Sequence, residues 1–220
     1  MIERTIQAVF TESPGLEEPA ATRERLKSRF PAGAARRMTQ LGMLTGSVLG
    51  ALDPSSADAV VYASEYGESR ALEAFLESFP SASPTMFQTS IHPSGVQQGL
   101  IGRQRGVPEL FPFAGAGGLA GHALVAALIN PAARVLFCGG EERGTWLRER
   151  GVASGRTFAF ALGLGRDDAA GSVGRVAVVE DSDSVGRLSL YEWFGLLESR
   201  NNYNGPMLPG LKLQLVWSKS

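Results

Sequence analysis

The segment from Val107 to Asn130, VPELFPFAGAGGLAGHALVAALIN, limits the possible folds more than any other stretch of the chain. A short apolar run ends in Gly115, Ala116, Gly117 and Gly118, and an alanine- and leucine-rich stretch follows until Asn130-Pro131 stops it. The pattern predicts a strand, a tight turn and a helix from about Ala116 to Ile129. Leu119, Ala120, Ala123, Leu124, Ala126, Ala127 and Leu128 leave that helix almost no polar side, and only His122 interrupts it. A helix that is apolar nearly all round is expected to lie buried between layers. Small residues at the turn let a ligand approach the backbone and free the first amides of the helix. The turn itself carries no nucleophile, acid or base.

The remaining segments are those of a layered α/β chain. Thr5 to Phe10 is expected to be the first strand, and Ala20 to Arg29 a short charged helix with a solvated face. Met38, Leu41, Leu44, Val48 and Leu49 recur at helical spacing within a predicted helix from Gly33 to Leu52. Asp58 to Ser64 (DAVVYAS) and Arg134 to Cys138 (RVLFC) are continuous apolar runs that suit strands covered on both faces. Between them, Glu68 to Phe79 is amphipathic, with Leu72, Phe75, Leu76 and Phe79 on one side, and Ser94 to Arg103 is predicted to be helical. Glu141 to Ser154 has the composition of a surface excursion. Thr157 to Leu164, Val173 to Glu180 and Leu188 to Trp193 are predicted strands, Asn201 to Pro209 a loop, and Leu211 to Trp217 a half-exposed strand by its alternation. Strands alternating with helices predict a mixed sheet with an antiparallel trend toward the C-terminus. No repeat or clear linker is seen, and residues 1–220 are expected to form a single domain.

Several classes of function are disfavoured by the totals. With 21 basic and 22 acidic residues the chain offers no electrostatic case for nucleic acid or an anionic membrane. One cysteine excludes an internal disulfide, and the start MIERTIQAVF lacks the pattern of a signal peptide, so a cytoplasmic location is expected. Two histidines, His92 and His122, and Cys138 lie far apart in sequence, which argues against a structural zinc site. His92 is expected to be a loop residue, His122 a core imidazole, Cys138 a small buried hydrophobe, and Glu141-Glu142 a solvated turn. Gly115 to Ala120 fits the dinucleotide pattern G-x-G-x-x-A, with Glu141 available as a ribose-binding acid. Against that stand Pro108 and Pro112 in the preceding strand, where a central strand would lose ladder bonds.

The order of the segments resembles another family. SPTMFQTSIHPSGVQQGLIGRQRGVPELFPFAGAGGLAGHALVAAL, then RVLFCGGEE, then ASGRTFAFALGLGR, is similar to the N-terminal half of the β-ketoacyl synthases over about residues 35 to 166. That family has an SP-x-x-F segment, a helix, a G-P strand, an A-C-S-S-G-L elbow, a strand ending in G-G and a strand opening G-E-G-A. The helix RRMTQLGMLTGSVLGAL also looks like the family's early helix. The resemblance implies a thiolase-like α/β half-fold with a mixed sheet and a buried central helix, followed by divergent residues 173 to 220. Two departures accompany it. Gly115 stands where the family has its nucleophilic cysteine, and the family's two C-terminal catalytic histidines have no counterpart. Claisen condensation needs both a thiolate and imidazoles, so the resemblance implies a non-catalytic subunit like the chain-length factors of type II polyketide and aryl polyene pathways. It implies no cofactor, a full-length ketosynthase as heterodimer partner, and contact with acyl carrier protein through that complex. Carried over residue by residue, the partner interface and acyl tunnel fall at Ile91, His92, Val96, Leu100, Val107, Phe111, Phe113 and Gly115. A nucleotide-dependent oxidoreductase built on the Gly115 to Ala120 turn is the alternative.

Overall fold

A computed structural model describes residues 1–104, 106–166 and 171–218. Among them, eight strands form one sheet: β1 (Ile2–Glu12), β2 (Ala59–Ser64), β3 (Glu109–Ala114), β4 (Arg134–Glu141), β5 (Phe158–Gly165), β6 (Gly174–Glu180), β7 (Tyr203–Leu208) and β8 (Leu211–Trp217). Their order across the sheet is β3-β2-β4-β5-β1-β6-β8-β7. β2 pairs in parallel with both β3 and β4, and the other pairings are antiparallel. The helices are α1 (Pro19–Leu26), α2 (Gln40–Ala51), α3 (Ser69–Glu77), α4 (Pro84–Ser90), α5 (Ser94–Gly102), α6 (Leu119–Ile129), α7 (Trp146–Glu149) and α8 (Leu190–Ser199).

Two apolar layers follow from the period-two alternation of the strands. Val60 and Tyr62 of β2, Leu136 and Cys138 of β4, and Ala159 and Ala161 of β5 pack against α1, α2 and α5. Their sequence neighbours Val61, Phe137 and Phe160 face the opposite way, against α6 and α8. A strand covered on both sides has no polar position to spare, which is why β2 is buried at every residue. The α2–α5 contact is close because it is built on glycine. A methyl group on Gly99 would lie 2.8 Å from the Cα of Gly46, so neither position tolerates a side chain without separating the helices.

α6 is buried at Leu119, Ala120, Gly121, Ala123, Leu124, Ala127 and Leu128. One stripe stays open: His122 and Ile129 are exposed, and Val125 and Ala126 between them are half-buried. His122 is therefore a surface residue, not the core imidazole expected from its apolar neighbours. The C-terminus of α6 is sealed by Arg4, which is only 2% exposed. Its guanidinium donates to the carbonyls of Leu128, Asn130 and Ala132 at 3.2, 2.5 and 3.0 Å. The carbonyls of Leu128 and Asn130 are among those that the end of a helix leaves without a partner, and Ala132 follows in the next turn of chain.

Other elements differ from the sequence reading. The early helix is interrupted: a 3₁₀ turn over Ala34–Arg37 precedes α2, and Thr39 caps α2 by accepting the Gly42 amide at 2.9 Å. Leu188 to Trp193, expected as a strand, opens α8. Ser189 and Glu192 form a reciprocal capping box, and Leu190, Trp193, Phe194 and Leu197 pack inward at helical spacing. The expected loop Asn201 to Pro209 contains β7, held by β8 across the Pro209-Gly210 turn. Residues 173 to 218 thus extend the sheet by three strands and lay α8 beside α6. No helix among the described residues is long and apolar enough to cross a membrane.

Candidate functional site

β3 is one of the two edge strands of the sheet, with β7 at the other end, and is bonded to β2 alone among the described residues. This explains Pro112 within it, since an edge strand tolerates a residue without an amide hydrogen. It also leaves a row of backbone groups open along its outer side. Phe111 on that edge is 40% exposed, while Phe113 packs partly against the core of the α6 layer. The strand runs into the turn at Gly115, Gly117 and Gly118, with φ of 102°, 89° and 104°. All three lie in the left-handed region where side chains are disfavoured. Gly115 is exposed, and a side chain there would meet no atom within 4 Å. The elbow is an open, unreactive surface. Behind it, Leu208 of β7 lies where a methyl group on Gly118 or Gly121 would be, 2.5 and 2.6 Å away. Arg187 donates to the Gly117 carbonyl at 3.4 Å.

The other residues carried over from the resemblance divide by exposure. Ile91 is exposed at 46%, and Val107 is half-buried. Val96 and Leu100 face inward against α2, at 0% and 6% exposure, and present no surface to a partner. The outward residue of α5 is Ile101, 75% exposed. His92 stacks on Tyr62 with ring centroids 5.1 Å apart. Burial lowers its pKa, and neither ring nitrogen has a hydrogen-bond partner among the described residues. An apolar surface that sequence analysis underestimated lies on α3 and α4. The ring of Phe75 is 5.4 Å from that of Phe79 and 5.3 Å from that of Phe87. Leu76, Phe79, Met86 and Phe87 of this group are between 39% and 57% exposed.

Beneath that surface lies a cluster of buried acids. Glu141 and Glu142 are not a solvated turn: they are 3% and 0% exposed. Glu141 accepts from the Glu65 amide, from the Ser64 hydroxyl at 3.2 Å and from the Tyr66 amide at 3.3 Å. Glu142 accepts from the amides of Leu41 at 3.1 Å and Arg70 at 2.8 Å, and Glu68 from that of Gly95. Burial raises the pKa of Glu141 to about 8 and those of Glu68 and Glu142 to about 7. Because Glu141 is occupied in this way, it is not available to a ribose hydroxyl. The glycine turn also follows an edge strand, not the central strand of a dinucleotide site. The oxidoreductase alternative therefore has no support in the geometry. Cys138 is fully buried in β4, where burial raises its thiol pKa and keeps it unreactive. No group of three or more histidine, cysteine or acidic side chains among the described residues could hold a metal.

No family model and no curated protein matches the chain. Solved structures do. A chain of the complex of a ketosynthase (ApeO) with its chain length factor (ApeC) from Xenorhabdus doucetiae matches with a TM-score of 0.69, at 20% identity and over 100% of both chains. The ishigamide ketosynthase/chain length factor matches with a TM-score of 0.54, at 14% identity, over 83% of this chain and 68% of that one. A β-ketoacyl synthase from Burkholderia phymatum gives 0.56, at 13% identity, over 92% and 71%. The chain has the mixed α/β, thiolase-like fold of the ketosynthases and chain length factors.

Proposed function

We propose that this chain is a non-catalytic, chain-length-factor-like subunit that pairs with a full-length ketosynthase in type II polyketide or aryl polyene biosynthesis. The observation that carries the reading is the elbow. At Gly115, where the resemblance puts the nucleophilic cysteine, the ketosynthase fold has an exposed turn with no reactive side chain. The likeness in fold supports the same role, since the first of the matching structures is a chain of a ketosynthase–chain length factor complex that this chain covers from end to end.

The partner contact is assigned to the open edge of β3 with Phe111, to Ile91 and Ile101 beside it in sequence, and to the aromatic group Phe75, Phe79 and Phe87. An apolar surface of this kind is uncommon on a soluble monomer, and an open strand edge is a template for pairing. In the pair, this surface closes the far end of the partner's acyl tunnel, and carrier protein delivers substrate to the ketosynthase. The test is reconstitution with acyl- and malonyl-loaded carrier protein. The chain alone gives no ketoacyl product, the ketosynthase with this chain gives extended product, and turnover by the isolated chain would overturn the reading.

A further inference from the structure

A second open surface lies at the loop that follows β4. An open cleft of about 470 Å³ is lined by Arg70, Arg143 and Arg148, with Trp146, Glu18 and Glu149 at its sides. The three guanidinium groups come from three different segments: the first turn of α3, the loop after β4, and α7. Among the described residues, Arg70 alone of the three has an acidic partner, Glu18 at 2.7 Å, and that glutamate side chain is 68% exposed. Arg143 and Arg148 have no side-chain partner among the described residues. Arg143 is nevertheless half-buried. Leaving a charge partly desolvated and unpaired is unfavourable unless something supplies the counter-charge.

The loop that carries these arginines is rigidly built. Buried Glu73 accepts the amides of Thr145 at 2.7 Å and Leu147 at 3.0 Å. The Gly144 amide donates to the Ser154 carbonyl at 3.0 Å, and the Arg143 amide to the Thr157 hydroxyl at 3.1 Å. Trp146, which lines the cleft, is held by its indole N–H, which donates to Glu77 at 2.8 Å. Since these amides are all occupied, recognition falls to the guanidinium groups. Planar forks with five donors each suit a tetrahedral, multiply charged oxyanion better than a single carboxylate.

We propose that this cleft binds a phosphate group, held by Arg143 and Arg148 with Arg70 released from Glu18. The chemistry fits a free diphosphate and a phosphate ester whose organic part lies on Trp146. The proposal is independent of the partnership at β3. Equilibrium dialysis of the full chain against labelled pyrophosphate, and separately against ADP, distinguishes the two sources: tighter binding of ADP assigns the organic part to Trp146. Saturable binding is expected, weakened about tenfold or more by Arg143→Ala and by Arg148→Ala. Arg143→Lys, which keeps the charge and loses the fork, is expected to weaken it as well. Arg187→Ala, at the other end of the chain beside the elbow, is expected to leave it unchanged. The arginine variants should keep the melting temperature of the parent, because Arg143 and Arg148 hold no other side chain. Binding that does not saturate, or that falls equally in Arg187→Ala, overturns the proposal.

Discussion

Glu141 fixes the turn after β2 by accepting two amides and a hydroxyl, at 3% exposure and with no basic side chain paired to it among the described residues. Glu68 does the same for the first turn of α5, through the Gly95 amide. Desolvation outweighs these hydrogen bonds, so the folded-state pKa values, about 8 for Glu141 and about 7 for Glu68 and Glu142, lie above the value of roughly 4.3 for an unfolded glutamate. For a carboxyl shifted upward, the neutral form fits the fold better than the ionised one. The stability it lends is fully present below the unfolded pKa and is lost as the pH rises through the folded one. The melting temperature is therefore expected to fall between roughly pH 5 and pH 8. Glu141→Gln keeps the bonds to Glu65 and Ser64 and loses the one to Tyr66, so it is less stable at low pH, but its melting temperature falls less as the pH rises. A thermal-shift series across that range checks this, and an unchanged slope in Glu141→Gln would show that this carboxyl ionises freely in the fold. None of this was legible in the sequence, where Glu141-Glu142 read as a polar turn. The amides that capture them belong to Leu41, Glu65, Tyr66 and Arg70, far away in the chain.

At the scale of elements, α6 and β3 make separate claims. Leu124 is 1% exposed on the buried side of α6. Leu124→Asp is expected to destabilise the chain by more than about 3 kcal/mol, because it leaves a charge buried without a partner. Denaturant unfolding measures it, and a loss within about 0.5 kcal/mol would make the helix peripheral. Phe111 is the contrasting case, half-exposed on an edge strand. Phe111→Asp is expected to leave the melting temperature nearly unchanged and to abolish copurification with the ketosynthase, which separates an interface role from a core role. The elbow, the buried strands β2, β4 and β5 and the alternating β8 were legible because local patterns set them: unbroken apolar runs, a glycine cluster, strict alternation. α8 carries a local signal in its Ser189 and Glu192 capping box, which the strand expected over Leu188 to Trp193 passed over. β7 carries glycine and proline and becomes a strand only because β8 holds it. Val96 and Leu100 came to the partner interface and acyl tunnel only through the resemblance, and they pack inward against α2, where the close approach of Gly46 and Gly99 brings the helices together.

For the whole molecule, residues 173 to 218 cover part of what the fold would otherwise leave open. Three further strands lengthen the sheet, α8 lies beside α6, and Leu208 closes against Gly118 and Gly121. What they leave uncovered is the β3 edge and the aromatic surface of α3 and α4, at the opposite end of the strand order. An open strand edge beside an exposed aromatic surface is suited to a lasting partner, and an obligate contact of this type buries about 2,000 Å² or more. The most direct measurement is size-exclusion chromatography with light scattering on this chain, expressed alone and together with a full-length ketosynthase. Alone, the chain should self-associate or aggregate at micromolar concentration. Together, the two should elute as a one-to-one complex. A stable monomer that binds no ketosynthase offered to it would contradict the account.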